Sequence, residues 1–491
     1  AGTGCHGMTL LMDPERVGEG VGITAMGNEG AQWIGMEPFV RADHLFQNYG
    51  DGTYFHSAQL ALQNCIGAGM HMTFKILYNG TVAMTGGQDS TAEIGVGEMA
   101  TILLAQGVTR VAVTTEDVGR YRTIDLPKGV EVHERDRIVE VQEELRATPG
   151  VTVLIHDQYC AAELRRSRRR GRLTMPTRRV VINHRVCEGC GDCGDVSNCL
   201  SVQPIDTPLG RKTTIDQASC NFDYSCMKGD CPAFMTVDRA GPGPTGDPAG
   251  TGANGGGDAV IPEPVPITPD DLVSIRMAGI GGTGVVTVAQ ILATAAMFDG
   301  WEVRGLDQTG LSQKAGPVIS DIVLARPGEG SSNLVGRGRA DLLLGFDALV
   351  AASDPSLVAA TRDRTVVVAS TTATPTGAMI TSPDTSYPTD SIERRLAERS
   401  DTARNRFVDA AGLAATLTGN PAGANVLLLG VAVQAGTIPV SIDAIEQAIE
   451  LNGVAVEANL AAFDWGRRWT HDRNGVESLL PTARPSEDPA S

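Results

Sequence analysis

Cysteines are the most conspicuous chemical residues of this chain, and they are concentrated in one segment. Seven of the ten lie between Cys187 and Cys231, which favours metal binding over disulfides in a cytosolic protein. The first run has the spacing C-x2-C-x2-C and then one more cysteine: Cys187, Cys190, Cys193 and Cys199. The second run repeats the three-residue steps, with an aspartate in one position and a proline after its last cysteine: Cys220, Asp223, Cys226 and Cys231.

This spacing predicts iron-sulfur ligation. In two-cluster ferredoxins the fourth cysteine of each run ligates the other cluster. By that rule one cluster takes Cys187, Cys190, Cys193 and Cys231, and the other takes Cys199, Cys220, Cys226 and Asp223. A carboxylate is a harder ligand than a thiolate, so the second site would have an exchangeable corner, hold a three-iron cluster, or be absent. Zinc ligation and a plain surface or capping role for Asp223 remain alternatives.

A second constellation lies in the first 90 residues. Gly50-Asp51-Gly52 follows one predicted strand, and Asn79 follows the next strand, with a helix expected to begin near His56 in between. Carboxyl ends of parallel strands are where α/β sheets bind ligands. Asp51, Asn79 and the carbonyl of Thr81 could hold Mg²⁺, while Gly50 and Gly52 would let the backbone approach a phosphate. GDG alone is a common turn, but GDG followed by Asn at this distance is the thiamine diphosphate signature.

Together, "GDGTYFHS", "KILYNGTVAMTGGQ", "GCHGM" and "CEGCGDCG" resemble the indolepyruvate ferredoxin oxidoreductases, in their long fused form, of the 2-oxoacid:ferredoxin oxidoreductase superfamily. The resemblance covers about residues 1–465. It implies oxidative decarboxylation of an aryl 2-oxo acid, with indolepyruvate as the expected substrate. The implied cofactors are thiamine diphosphate, Mg²⁺ and one or two [4Fe-4S] clusters, one of which could be a 3Fe-4S or an Asp-ligated cluster. Coenzyme A would accept the acyl group and ferredoxin the electrons.

The same resemblance implies roles for individual residues. Met84 and Thr85 would line the diphosphate together with the two glycines of the GDG motif. Cys5 and His6 match a Gly-Cys-His turn near the cofactor, and His56 would contact the substrate or the thiazolium ring. Each also has a plainer interpretation: Cys5 as a small buried residue, His6 as a surface residue, and His56 as a helix cap.

Further along the chain, "GIGGTGV" follows a predicted strand, and its residues Gly279, Gly281 and Gly284 have the pattern G-x-G-x-x-G. As a dinucleotide motif this match is weak, because no acidic residue ends a second predicted strand about 20 residues further on, and only Asp299 lies nearby. The resemblance implies that this domain, through Gly281, Gly282 and Gly284, closes over the cofactor or handles the acyl acceptor. A tight strand-helix turn is the simpler interpretation.

The pattern of strands and helices predicts an α/β fold. We expect two doubly wound α/β domains joined by a small ferredoxin-like iron-sulfur segment and a Gly/Pro-rich linker. The expected parts are a diphosphate-binding domain (1–162), a basic tether with the cluster segment (163–239), a flexible linker (240–270), a gamma-type domain resembling that of the 2-oxoacid oxidoreductases (271–465) and a tail (466–491). Within the tether, "ELRRSRRRGRLTMPTRR" is either a solvated helix end or a docking site for an acidic partner.

Charge and hydropathy exclude some classes of function. The formal charge of −18 argues against wrapping nucleic acid, and no apolar run approaches the roughly 18 residues of a membrane helix. With no signal peptide visible, we predict a cytoplasmic protein. The chain begins without methionine and shows no pyrimidine-binding domain, so we expect a piece of a longer protein or one subunit of a dimer or larger complex that needs this domain as a partner. A non-catalytic electron-transfer or scaffold subunit is the alternative.

Overall fold

The computed structural model describes residues 24–82, 88–89, 94–169, 171–197, 199–217, 219–238, 261–269, 271–309, 316–329, 332–376, 379 and 385–480. The chain divides into two compact units, Ala1–Arg166 and Ser167–Ser491. As predicted, the fold is mixed α/β, with parallel strands in both units.

The first unit is built on a five-stranded parallel sheet in the order β1-β2-β7-β5-β6. Its central strands are apolar and buried on both faces, as parallel sheets covered by helices require. An antiparallel pair, β3 with β4, lies outside this sheet. The strands are β1 (Leu45–Gly50), β2 (Met72–Tyr78), β3 (Thr81–Val82), β4 (Gln88–Asp89), β5 (Arg110–Thr115), β6 (Glu131–Glu134) and β7 (Val151–Asp157).

Helices connect these strands and cover the sheet. The helix after β1 contains one π-helical turn, Tyr54–Ala58, which links α2 to α3. At the start of the helix before β5, the Glu98 carboxylate accepts a bond from the Gly95 amide at 3.2 Å; this is one half of a capping box, since Gly95 has no side chain to complete it. The helices are α1 (Gln32–Met36), α2 (Asp51–Thr53), α3 (Gln59–Gly67), α4 (Val96–Ala105), α5 (Ile138–Arg146) and α6 (Ala161–Arg169), in whose middle the division between the units falls.

The cysteine segment belongs to the second unit and consists of two antiparallel strand pairs and one short helix. These are β8 (Arg178–Ile182) with β11 (Phe234–Asp238), β9 (Val202–Thr207) with β10 (Gly210–Ile215), and α7 (Asp192–Ser197). Its apolar core is small: Val180, Ile182, Val202, Ile215 and Ala233 are buried together with Cys220 and Cys226. A segment with so few buried apolar side chains needs another source of stability, which bound metal commonly supplies.

A second, mixed sheet forms the rest of this unit, in the order β13-β14-β12-β15-β16-β17. β12, β15, β16 and β17 are parallel, whereas β14 runs antiparallel to both β12 and β13. The strands are β12 (Leu272–Ile280), β13 (Glu302–Thr309), β14 (Pro317–Ala325), β15 (Leu342–Gly345), β16 (Val366–Ser370) and β17 (Arg406–Val408). The helices are α8 (Val285–Phe298), α9 (Ala348–Ala351), α10 (Asp354–Leu357), α11 (Thr389–Glu398), α12 (Ala410–Thr418), α13 (Ala424–Gln434), α14 (Ile442–Asn452), α15 (Val456–His471) and α16 (Arg473–Glu477).

Two glycines let α13 pack directly against α15. A Cβ atom at Gly430 would lie 2.1 Å from the Phe463 carbonyl oxygen, and one at Gly466 would lie 2.0 Å from that of Leu427. Helix α13 is therefore the buried centre of this domain, although it has only 11 residues. Across the described part of the chain, no helix combines the length and apolarity needed to cross a membrane.

The end of the expected linker packs on the same domain. The Ile267 amide donates to the Gly436 carbonyl at 2.9 Å, and the Gln434 side-chain amide donates to the Pro262 carbonyl at 2.8 Å. Residues 261–269 have no regular secondary structure, but these bonds hold them against the end of α13. Because of these bonds, the segment from 261 onward is part of the folded domain rather than flexible linker.

Candidate functional site

Asp51 and Asn79 meet at the carboxyl edge of the first sheet. They directly follow β1 and β2, which are parallel neighbours, so the prediction that they end adjacent strands is confirmed. One carboxylate oxygen of Asp51 accepts bonds from the amides of Asn79 and Gly80, both at 2.8 Å. The other oxygen accepts a bond from the Gly52 amide at 2.8 Å. The two ends of a βαβ unit are thus joined through one carboxylate.

The Asp51 carboxylate is buried, with 2% of its surface exposed. Burial raises its pKa above the ordinary value, because water no longer solvates the charge, while the three amide bonds act in the opposite direction. A carboxylate has about four lone-pair sites, so three amides leave room for a cation. A divalent cation here would offset the cost of the buried charge.

In Asn79, the atom that would ligate a cation is already used in hydrogen bonds. Its side-chain oxygen accepts bonds from the Thr81 amide at 3.0 Å and from the Thr81 hydroxyl at 2.9 Å. An amide oxygen has two lone pairs, so both are used. For Asn79 to ligate Mg²⁺, the Thr81 hydroxyl must rotate away. Beside this pair, a Cβ atom at Gly50 would meet no atom of the described residues within 4 Å, so none of them fills the space over that glycine.

The helix after β1 begins at Asp51, whereas the sequence pattern predicted that it begins near His56. Gly50 is extended, with φ −80° and ψ 159°, and the acidic Asp51 suits the first helical turn. His56 therefore lies inside the π-helical turn, and its interpretation as a helix cap is wrong. Its ring Nδ1 is 2.8 Å from the Ser57 hydroxyl, and the side chain is exposed. Isolated π-turns are frequent at functional sites.

Four predicted site residues, Cys5, His6, Met84 and Thr85, lie outside the described residues.

A third polar group at the same sheet edge was not predicted. Asp157 is the last residue of β7, directly opposite Tyr78 of β2. Its carboxylate accepts bonds from the Tyr121 hydroxyl at 2.6 Å and from the Arg120 guanidinium at 2.9 Å. Burial and this carboxylate raise the pKa of Tyr121. The one available signal was the acidic residue that ends the apolar run "VTVLIHD".

In the cysteine segment, the structure brings the predicted ligands into two neighbouring groups. A cavity of about 280 Å³ is lined by Cys187, Cys190, Cys193, Cys226 and Cys231. Burial, together with the nearby Cys199, Cys220 and Asp223, raises the pKa of the Cys226 thiol to about 12. Cys226 thus borders both groups.

The two runs share one backbone conformation. In the first run, Gly189 and Gly191 have left-handed φ values of 73° and 91°. The corresponding residues of the second run, Phe222 and Tyr224, both have φ 58°. A left-handed conformation costs a non-glycine residue about 1–2 kcal/mol, so the second run keeps this turn against its own preference. Residues in such a conformation persist where the surrounding structure requires it, and they cluster at functional sites.

The two runs also have the same hydrogen bond from a backbone amide to a cysteine sulfur. The Gly189 amide donates to the Cys187 sulfur and the Phe222 amide to the Cys220 sulfur, each at 3.4 Å. Asp223 therefore occupies the place of Cys190 in the first run. Its carboxylate accepts bonds from the amide and hydroxyl of Ser225, at 3.1 and 2.9 Å, and the side chain is exposed.

A single metal ion has no ready site in the part of the chain that the structure describes. No group of three or more His, Cys, Asp or Glu side chains there is placed to hold one ion. A cubane takes one thiolate on each iron and spreads its ligands around a larger body, which suits cysteines lining a cavity.

The glycine turn of the second unit connects β12 to α8. Gly282 and Gly284 have left-handed φ values of 88° and 101°, and the Gly281 amide donates to the Gly316 carbonyl at 2.7 Å. A Cβ atom at Gly279 would lie only 2.7 Å from a methyl of Val285, so packing alone requires this glycine.

The strands around this turn do not have the dinucleotide-binding arrangement. In that fold the strand after the first helix pairs in parallel with the first strand. Here β13 follows α8, but β14 separates it from β12 and is antiparallel to both. Asp299 accepts a bond from the Ser441 hydroxyl at 2.8 Å, so it links α8 to α14 rather than ending a strand.

Parts of this chain are similar to known oxidoreductases. Residues 274–469 match the family described as pyruvate ferredoxin/flavodoxin oxidoreductase. A protein named indolepyruvate oxidoreductase subunit IorB, from Pyrococcus horikoshii, is 29% identical over 196 residues, which are 39% of this chain and 93% of that protein. One named indolepyruvate oxidoreductase subunit IorA, from Thermococcus kodakarensis, is 26% identical over 194 residues, 39% of this chain and 27% of that protein.

A solved structure also matches. The pyruvate oxidoreductase subunit PORC from Thermotoga maritima is 19% identical, with a TM-score of 0.31, over 40% of this chain and 96% of that one.

Proposed function

Because residues 274–469 place this chain in the 2-oxoacid:ferredoxin oxidoreductase family, we propose that it takes part in the oxidative decarboxylation of an aryl 2-oxo acid. Coenzyme A would accept the acyl group and ferredoxin the electrons. The relatives named as indolepyruvate oxidoreductase subunits make indolepyruvate the substrate that we propose. Similarity to proteins named as subunits supports a chain that works in a complex.

The observation that carries this proposal is the buried Asp51 carboxylate joined to the Asn79-Gly80 backbone. Mg²⁺ is typically held by one or two protein oxygens together with substrate phosphates. Asp51, the side-chain oxygen of Asn79 and the Thr81 carbonyl would supply the protein ligands. The open space over Gly50 would receive a diphosphate. When bound, thiamine diphosphate supplies the electron sink that makes decarboxylation possible.

The remaining residues of this site have positioning roles in the proposal. Gly52 is in the first turn of the helix that follows, so its backbone can approach a phosphate oxygen. His56 lies one to two turns further along the same helix and is exposed, so it is available to contact the substrate. Cys5, His6, Met84 and Thr85 would complete the site. Apart from this site, Gly281, Gly282 and Gly284 would handle the acyl acceptor.

The cysteine segment would carry the electrons away in single steps. Cys187, Cys190, Cys193 and Cys231 would hold one [4Fe-4S] cluster. Cys199, Cys220 and Cys226, with Asp223, would hold the second. The shared left-handed turns and the N–H···S bonds in both runs support a second cluster in spite of the aspartate.

A pyrimidine-binding domain would have to come from a partner. Thiamine enzymes bind the cofactor between two domains, and the second one supplies a glutamate that activates the aminopyrimidine. We therefore propose that activity requires this domain, whether it is fused or separate.

The test is Mg²⁺-dependent binding of thiamine diphosphate. The full chain, purified without oxygen and supplied with a pyrimidine-binding domain, is titrated by calorimetry with Mg²⁺ and with EDTA. We expect binding only with Mg²⁺, and a loss of affinity of about tenfold to a hundredfold in Asp51→Asn, since a hydrogen bond or ligand to a charged group contributes about 1.5–3 kcal/mol. Asp43→Asn is the control, because Asp43 is exposed and precedes β1, at the opposite end of the strand.

The outcomes separate the proposal from its alternative. If the wild-type chain binds no thiamine diphosphate in the presence of Mg²⁺ but has iron-sulfur absorbance, it is an electron-transfer or scaffold subunit. If Asp51→Asn and Asp43→Asn weaken binding equally, Asp51 is not a ligand of the cation. Reduction of an acidic ferredoxin with indolepyruvate, compared with pyruvate, then tests the substrate.

A further inference from the structure

An arginine-rich surface, which we define as the described arginines among residues 168–179, packs around the second cysteine run. The sequence between 163 and 179 contains eight arginines and one glutamate, which is one fifth of all 40 lysines and arginines in a chain of net charge −18. So strong a local excess of positive charge in an acidic protein is not explained by solubility. The described members are Arg168, Arg172, Arg178 and Arg179.

Three of these arginines contact the turn that holds Asp223. The guanidinium of Arg179 lies over the Phe222 ring, 4.4 Å from its centroid, and that of Arg168 lies 5.4 Å from the same centroid. Arg168 also donates to the Asn221 carbonyl at 2.6 Å. The backbone oxygen of Arg178 accepts a bond from the Tyr224 hydroxyl at 3.4 Å. The arginine-rich surface is therefore fixed to this run and is not a free tether.

The second run lies partly at the protein surface, although Cys220 and Cys226 themselves are buried. Asp223 is exposed, and so are Met227, Lys228 and Asp230 just beyond it. A cluster held there would be close to solvent, whereas electron transfer between proteins weakens steeply with distance. The neighbouring arginine-rich surface suits a transient partner of opposite charge, because charge attraction accelerates the encounter of two proteins without requiring a large interface.

We propose that the arginine-rich surface is the docking site of an acidic electron-accepting protein, and that the second cysteine run is where electrons leave this chain. The inference rests on the proposed function, because it assumes a cluster in that run. The chemistry of the partner follows from charge complementarity: it must be acidic on the face that docks, as small iron-sulfur or flavin electron carriers are. Arg168 and Arg179 would position the run, and Arg172 would face the partner, whereas Arg178 is already paired with Asp238 at 2.9 Å.

The test measures binding of an acidic ferredoxin to the full chain, purified without oxygen, at low salt and at high salt. Arg172→Glu is the main variant, because its side chain is exposed. Arg394→Glu is the matched control, since it makes the same charge change on an exposed position of α11. We expect Arg172→Glu to raise the dissociation constant about threefold to tenfold at low salt, Arg394→Glu to leave it unchanged, and the difference to shrink at high salt.

Several results would overturn the proposal: no binding of ferredoxin, equal effects of the two variants, or binding that salt does not weaken. Displacement of the ferredoxin by an equal concentration of single-stranded DNA would instead assign the surface to nucleic acid. Visible and electron paramagnetic resonance spectra of the same samples decide the proposed function separately. Clusters without selective docking refute only the docking site, whereas docking without clusters refutes the electron-transfer function and with it the exit role of the second run.

Discussion

The buried pair Arg276 and Asp321 allows a quantitative prediction for the second unit. These residues face each other across β12 and β14, and they form two parallel bonds of 2.7 Å. Their side chains are 4% and 0% exposed. Asp321 also accepts a bond from the Val335 amide at 3.0 Å, and Arg276 donates to the Pro355 carbonyl at 2.9 Å. The pair is therefore fully enclosed and satisfied.

Removing one partner leaves a buried charge with little compensation. We expect Arg276→Met to lower the free energy of unfolding by about 3–5 kcal/mol, and Asp321→Leu by a similar amount. In the double variant no charge remains, and the main loss is one unpaired amide at Val335 and one unpaired carbonyl at Pro355. At about 1–3 kcal/mol each, the double variant should lose about 2–6 kcal/mol, which is less than the sum of the single losses.

Urea unfolding followed by tryptophan fluorescence measures these changes, because three of the four tryptophans are in the second unit: Trp301, Trp465 and Trp469. The exposed pair of Arg404 with Asp401, at 3.4 Å, provides the control. Arg404→Met should change stability by less than about 0.5 kcal/mol. The reasoning is refuted if Arg276→Met costs no more than Arg404→Met, or if the two single losses add up in the double variant.

Two further predictions concern the other parts of the chain. Asp223→Cys should give the second run a full set of thiolates, so that a three-iron or labile resonance becomes a four-iron one in electron paramagnetic resonance; an unchanged spectrum would make Asp223 a bystander. In the first unit, burial together with the nearby His71 lowers the pKa of His44 from 6.5 to about 4. The folded state then binds fewer protons than the unfolded state between these values, so stability should fall by roughly 1–3 kcal/mol as the pH drops from 6.5 to 4, after allowance for partial solvent screening. Fluorescence of Trp33 reports this loss. His44→Asn should reduce it and leave the contribution of His156, whose pKa is also lowered by burial; an unchanged pH dependence in that variant would contradict the assignment to His44.

Much of the arrangement of strands, helices and candidate site residues follows from patterns in short stretches of the sequence. The strands around the GDG motif are apolar runs separated by a helical stretch, and a βαβ unit brings the ends of its strands to one edge of the sheet. The positions of Asp51 and Asn79 could therefore be predicted from the sequence alone. The same holds for the turn from β12 to α8, where a strand, three glycines and an apolar helix follow one another. Cysteine spacing likewise predicts two runs, because three-residue steps on a turning backbone converge on one side.

Other features depend on residues far apart in the chain. The Asp51 carboxylate receives the amides of residues 79 and 80, and this contact depends on the pairing of β1 with β2. The start of the helix at Asp51 rather than near His56 follows from the extended Gly50 at the end of β1. Asp157 reaches the same edge only because β7 pairs with β2. No local pattern contains that strand order.

By itself, the sequence determined which residues could act together: a carboxylate and an amide on adjacent strands, and two runs of metal-ligand spacing. Those inferences need only the periods of strands and turns. Tertiary structure alone decided how these groups are engaged. It inserted the antiparallel β14 between β12 and β13, which removes the dinucleotide-site interpretation. It also holds Phe222 and Tyr224 in left-handed conformations, because contacts with an earlier arginine-rich segment outweigh the local preference of these residues. Arg168 and Arg179 lie over the Phe222 ring, and the Tyr224 hydroxyl donates to the Arg178 carbonyl.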